Sequence, residues 1–152
     1  VLTTRTGRIP EDIKNIVMPL DVTIDTRQKV PITAELAGLF GAEVHIITVS
    51  SSRGQRITKR LEAYSRQAAG YFRAKRIPFL QKSLYGENVV DLTVVYADSV
   101  NADMITIMKE QSRSLTFMGN LTHQLLNHAT IPVLSLSNKE THIKTGFSTY
   151  GE

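Results

Sequence analysis

No cysteine occurs among the 152 residues. That excludes disulfides, thiol nucleophiles and cysteine-based zinc sites, and it fits a reducing compartment, so the expected location is cytoplasmic. No apolar run approaches the roughly 20 residues that cross a bilayer, and membrane insertion is not expected. The first dozen residues are polar and carry no apolar leader-like stretch. Strong charge is missing as well. Eighteen Lys and Arg against 14 Asp and Glu leave +4 at pH 7, less than a dedicated nucleic-acid binder carries, so no specific nucleic-acid partner is expected. Signatures of catalysis are also lacking: there is no Gly-x-Ser-x-Gly, no GxxxxGK[ST] and no pair of catalytic carboxylates. His123 and His128 stand five apart, off the spacing of a helical metal pair, and no carboxylate lies near them in sequence. The expectation is a non-enzyme without a metal.

What is present is an ordinary globular composition, 41% hydrophobic and 21% charged, and enough length for one domain with a real core. Residues 1–12, VLTTRTGRIPED, are polar, contain Gly7 and Pro10, and read as a linker. The chain does not begin with Met, which leaves two readings open, a piece of a longer protein or a processed chain. The linker-like start fits the C-terminal half of a tandem protein. The folded unit is expected over 13–137, with a polar tail over 138–152.

Ile16, Val17 and Met18 centre a first strand, Lys14 to Leu20, which ends on Asp21. Asp25 or Thr26 is placed to cap a helix to about Phe40, with Pro31 in its first turn and Gly41 as its C-cap. Its apolar positions are Ile32, Leu36, Leu39 and Phe40. Val44 to Val49 is β-branched and predicts a second strand. Ile57, Leu61, Tyr64, Ala68 and Tyr71 form one stripe of a long helix from about Gln55 to Arg76. Phe79 to Leu84 alternates and predicts a third strand near a sheet edge. Asn88 can cap a helix to about Val100, with Leu92, Val95, Tyr96 and Ser99 inward. Met104 to Met108 is a fourth strand. A last helix spans Leu115 to Ala129, with Met118, Leu121, Leu125 and Ala129 on one side, and Val133 to Leu136 is a fifth strand. Strands alternating with helices of crossover length predict right-handed βαβ units and an α/β fold with a parallel sheet covered on both faces.

Four stretches together resemble the universal stress protein family: IVMPLD, ITAELAGLFGAEVHIITV, YGENVVDLTVVYADSVNADMITIM and GNLTHQLLNHATIPVLSL. The resemblance covers Ile13 to Leu136. It implies a five-stranded parallel sheet in strand order 3-2-1-4-5, flavodoxin-like or adenine-nucleotide α-hydrolase-like. In such a sheet ligands bind at the carboxyl ends of the strands, at the switch point between strands 1 and 4. That places Asp21, Thr48, Val49 and the turn at 109–114 around one crevice. Asp21 resembles the family's adenine contact; as an end-of-strand residue it can equally cap the next helix.

Family members that bind ATP resemble one another in a Gly-x-x-Gly, nine residues, Gly-Ser/Thr pattern after strand 4. The glycines let main-chain amides approach the phosphates, and a helix N-terminus adds partial positive charge. Here Lys109 stands at the first glycine, Gly119 alone is kept, and Asn120 replaces the hydroxyl residue. The connection is also about three residues shorter than the usual one, and Glu110 adds negative charge. Asp21, Thr48, Val49, Lys109, Gly119 and Asn120 are therefore the contacts only if a nucleotide binds. No cofactor is expected; the alternative is ATP or another adenine nucleotide. The apolar fifth strand would be a sheet edge, with Val133, Leu134 and Leu136 available for pairing in a homodimer or with a tandem domain. A stretch of the long helix and its approach, Arg53 to Arg76, holds eight of the 18 basic residues and reads as a solvated face. The functional expectation is a regulatory or interaction module that does not bind ATP conventionally. The alternatives are an adenine-nucleotide-binding stress protein with an altered phosphate loop, or a cytoplasmic sensor domain of a transporter.

Overall fold

Apolar strands buried on both faces, as parallel sheets require, build the centre of the molecule. The structure is a computed structural model and describes residues 1–4, 10–109 and 121–137. Its strands are β1 (Leu2–Thr3), β2 (Asn15–Leu20), β3 (Glu43–Ser50), β4 (Phe79–Tyr85), β5 (Met104–Met108) and β6 (Val133–Leu136). The helices are a 3-10 turn at Ile24–Lys29, then α1 (Val30–Phe40), α2 (Gln55–Ala74), α3 (Val89–Ser99) and α4 (Leu121–His128).

The sheet order is β1-β6-β5-β2-β3-β4. The expected sheet of five parallel strands is corrected to a mixed sheet of six. Strands β2 to β6 pair in parallel, and β1 joins β6 antiparallel, with Leu2 opposite Leu134 and Thr3 opposite Val133. Consequently β6 is not the edge strand. A two-residue strand inside a linker-like segment leaves no periodic signal, which is why the sequence did not reveal it.

Two apolar layers enclose the sheet. On one face α1 and α2 cover Ile16, Met18, Leu20, Val44 and Ile46 with Ala34, Ala37, Tyr64, Ala68 and Phe72. On the other, α3 and α4 cover Val17, Ile47, Val49, Ile105 and Ile107 with Val90, Ala97, Leu125 and Ala129. Phe72 is fully buried, which stabilises the fold by about 1.5–3 kcal/mol.

Helix ends follow local chemistry in part. Asn88 caps α3, its side-chain oxygen accepting from Val90 N at 3.0 Å and Asp91 N at 3.2 Å. Gly41 closes α1 at φ 66°, a left-handed conformation that glycine adopts without a Cβ penalty. Neither Asp25 nor Thr26 caps α1, which continues from the 3-10 turn at Val30. The inward faces of α1 and α3 also differ from expectation. Val30, Thr33, Ala34 and Ala37 face the core on α1, leaving Leu39 81% exposed, and Val90, Thr93 and Ala97 do so on α3, leaving Val95 66% exposed. Small residues let these helices approach the sheet closely, and the larger ones ride at the rim.

Candidate functional site

Proline decides where the sheet opens. In β2, Asn15 O accepts from Asp103 N on the β5 side and Lys14 O accepts from Glu43 N on the β3 side. Since a residue's N–H and C=O point to the same side in a strand, residues 15, 17 and 19 face β5. Pro19 therefore lacks its donor on the side of β5. Pairing between β2 and β5 stops at Val17 opposite Ile105, whereas pairing between β2 and β3 runs on to Leu20 opposite Thr48. The ladder between these two strands therefore ends before their carboxyl ends, at the switch point where a doubly wound sheet places its crevice.

The 3-10 turn packs against β5 at this place and supplies a cluster of buried polar groups. Asp21 Oδ1 accepts from Thr23 N at 2.8 Å and from Thr23 Oγ1 at 2.5 Å. The carboxylate thus folds back on its own loop in an Asx turn. Asp21 N donates to Thr26 Oγ1 at 3.1 Å. Thr26 also receives the ammonium of Lys29, whose Nζ lies 2.6 Å from Thr26 O and 3.1 Å from Thr26 Oγ1. Lys29 is 2% exposed. Burial drives its pKa down from 10.5 to about 8, and the nearby Asp21 charge opposes that fall. Thr33 Oγ1 donates to Lys29 O at 2.8 Å and meets Thr106 Oγ1 at 3.1 Å, joining the cluster to β5. Beside it Arg27, also buried, bonds Gln67 and lies 4.2 Å from the Tyr64 ring centroid. Sequence reasoning missed Lys29, Arg27 and Pro19. Lys29 sits three residues after Thr26 and four before Thr33, one helical face of polar groups, and Pro19 interrupts an otherwise buried strand. Those were the available signals.

The residues expected to form the site are only partly assembled. Asp21 and Lys109 lie at the carboxyl ends of β2 and β5. Lys109 is exposed, and its amide donates to Leu136 O at 2.7 Å, so β5 pairing continues through it. Thr48 and Val49 are both buried at the end of β3 but point to opposite faces. Thr48 points towards α2, whereas Val49 packs with the α3–α4 layer. Gly119 and Asn120 lie outside the described residues, as do Glu110 and the start expected for the last helix. Of the expected pairing residues, Val133 and Leu136 are buried within the chain and Leu134 is half-buried opposite Leu2. Ser135 N donates to Val1 O at 2.8 Å. The β6 edge expected to be open thus carries the chain's own first residues.

Two further features are placed by the fold. His45, 5% exposed on β3, meets Tyr96 OH through Nδ1 at 3.0 Å. Its Nε2 lies 3.4 Å from Glu43 Oε1 without a hydrogen bond to it. Burial lowers the His45 pKa, with Glu43 opposing. His128 Nδ1 lies 3.7 Å from Asp91 Oδ1, both exposed. Among the described residues there is no group of three metal-ligating side chains, and no helix is long and apolar enough to cross a membrane.

A family model described as the Universal stress protein family matches residues 12–136. Comparison with curated proteins finds no match. Among solved structures, a universal stress protein in complex with cAMP is similar at 18% identity and TM-score 0.68, over 83% of this chain and 98% of its own. The universal stress protein from Archaeoglobus fulgidus in complex with dAMP is similar at 20% identity and TM-score 0.66, over 84% of this chain and 98% of its own. A protein from the universal stress protein family of Burkholderia pseudomallei is similar at 17% identity and TM-score 0.60, over 84% and 98%. At these identities the likeness is one of fold.

Proposed function

The chain belongs to the universal stress protein family, and from that premise we propose a non-enzymatic regulatory domain whose crevice does not hold a triphosphate in the family's manner. The observation that carries the reading is the Lys109 amide, spent on Leu136 O at 2.7 Å. A turn that wraps phosphates needs free main-chain N–H groups in close approach. Here the first of them belongs to the sheet, and residues 109–118 contain no glycine to bring the others near. Glu110 repels a polyphosphate further. The domain acts through contact with a second domain of its kind. Pairing at the β6 edge displaces β1, which is two residues long and bonded to Ser135 through Val1.

A second reading, an adenine mononucleotide in the nucleoside half of the crevice, is favoured by the similar structures holding cAMP and dAMP. Asp21 keeps one carboxylate oxygen with no hydrogen bond among the described residues, and the Lys109 ammonium suits one phosphate as a point charge. The test is to denature the purified protein by heat and chromatograph what it releases. No ATP is expected. ATP released in amounts equal to the protein refutes the proposal, and AMP in such amounts moves it to the second reading.

A further inference from the structure

Away from the crevice, a cleft of about 380 Å³ opens between the ends of β3 and β4 and the start of α2. It lies on the α2 face of the sheet, opposite to the face where Val49 packs. Thr48 and Ser83 stand opposite each other in the β3–β4 register, so their hydroxyls project side by side into it. Thr48 is 5% exposed, and its hydroxyl has no hydrogen bond among the described residues. Thr58 adds a third hydroxyl from the first turn of α2, and the buried Leu61 forms an apolar floor.

The rim carries charge of defined placement. Arg53 Cζ lies 4.1 Å from the Tyr85 ring centroid, so the guanidinium rests on a ring at the mouth with its N–H fork available. Gly54 precedes α2 and supplies no side-chain cap, which leaves the first helical amides without a side-chain partner next to Arg53. Glu62 stands on the same wall. Its carboxylate is able to accept from a ligand hydroxyl and opposes any ligand with many negative charges. The volume falls at the small end of ligand sites, which run from about 300 to 1,000 Å³.

We propose that this cleft binds a small monophosphorylated polyol, its phosphate between Arg53 and the first turn of α2 and its hydroxyls against Thr48, Ser83 and Glu62. The site is separate from the crevice and stands whether or not a nucleotide binds there. Hydroxyl side chains both donate and accept, which suits a ligand rich in hydroxyls. One guanidinium and one helix start suit one phosphate.

The experiment is a titration of glucose 6-phosphate into isotope-labelled protein, followed by amide NMR shifts, with glucose and inorganic phosphate as parallel arms. Saturable shifts confined to residues 48–62 and 83–85 are expected, with glucose and phosphate each at least about tenfold weaker. Arg53→Ala is expected to weaken binding about tenfold, the usual effect of losing a charged hydrogen bond. Ser83→Val is β-favouring at an exposed strand position and keeps the fold; it is expected to weaken glucose 6-phosphate but not inorganic phosphate. No saturable shift, equal binding of inorganic phosphate, or affinity unchanged in both variants overturns the proposal.

Discussion

Replacing Lys29 by Met tests the buried polar cluster quantitatively. The Lys29 ammonium is fully enclosed, and its pKa falls from 10.5 to about 8. Each pKa unit corresponds to about 1.4 kcal/mol, so holding the charge inside the fold costs about 3 kcal/mol. The sign follows from proton counting. Between pH 8 and pH 10.5 the unfolded chain holds a proton on Lys29 that the folded chain has released. Stability therefore rises with pH through that window, and below pH 8 the cost is present in full. Met fills a similar volume without charge, and its loss of the two contacts to Thr26 gives back about 1 kcal/mol each. Lys29→Met is thus expected to be more stable than the parent by about 1 kcal/mol at pH 7. That advantage should shrink and reverse towards pH 10.5, the difference moving by about 3 kcal/mol in all. Urea unfolding followed by circular dichroism at successive pH values gives the difference directly, because other lysines and tyrosines titrate alike in both proteins. A difference that stays flat from pH 7 to pH 10 refutes the reasoning.

Three other outcomes are expected. Asp21→Asn removes the charge that opposes the fall in the Lys29 pKa, so the lower bound of the window of rising stability should drop below pH 8 while its upper bound stays near 10.5; potentiometric titration of the folded protein reads the lower bound. His45, its pKa lowered mainly by burial with Glu43 opposing, takes up its proton at lower pH in the fold than in the unfolded chain, which protonates near pH 6.5. Stability should therefore fall as pH drops below 6.5, and His45→Gln should flatten that loss in melting temperatures taken between pH 7.5 and 5. If pairing runs through the β6 edge, Leu134→Asp should convert dimer to monomer in light scattering, on protein shown by circular dichroism to be folded. Unchanged size counts against that edge.

The parts of the fold legible in the sequence are those where one pattern has one solution. The stripe Ile57, Leu61, Tyr64, Ala68 and Tyr71 is a long amphipathic helix, and the β-branched run at 44–49 is a buried strand. α1 and α3 carry apolar residues on more than one face. There the close approach of small residues, Thr33, Ala34 and Ala37 or Thr93 and Ala97, selects the inner face; of the residues hydrophobicity points to, Leu36 and Tyr96 pack at its margin and Leu39 and Val95 are exposed. The place of the switch point was legible because the order of β2 to β6 fixes it. The polar cluster beside it was not, since the one signal, the spacing of Thr26, Lys29 and Thr33, does not say that the lysine is buried, and Lys29 becomes intelligible only beside Thr26, Thr33 and Asp21. Thr48 and Val49 are neighbours in sequence, but the pleat sends their side chains to opposite faces.

On the proposed function, phosphates beyond the first gain nothing from residues 109–120. Calorimetric titration with AMP and ATP under one salt concentration tests it most directly. ATP is expected to bind no more tightly than AMP, or neither to bind. An ATP affinity ten times that of AMP or greater, about 1.4 kcal/mol, would contradict it.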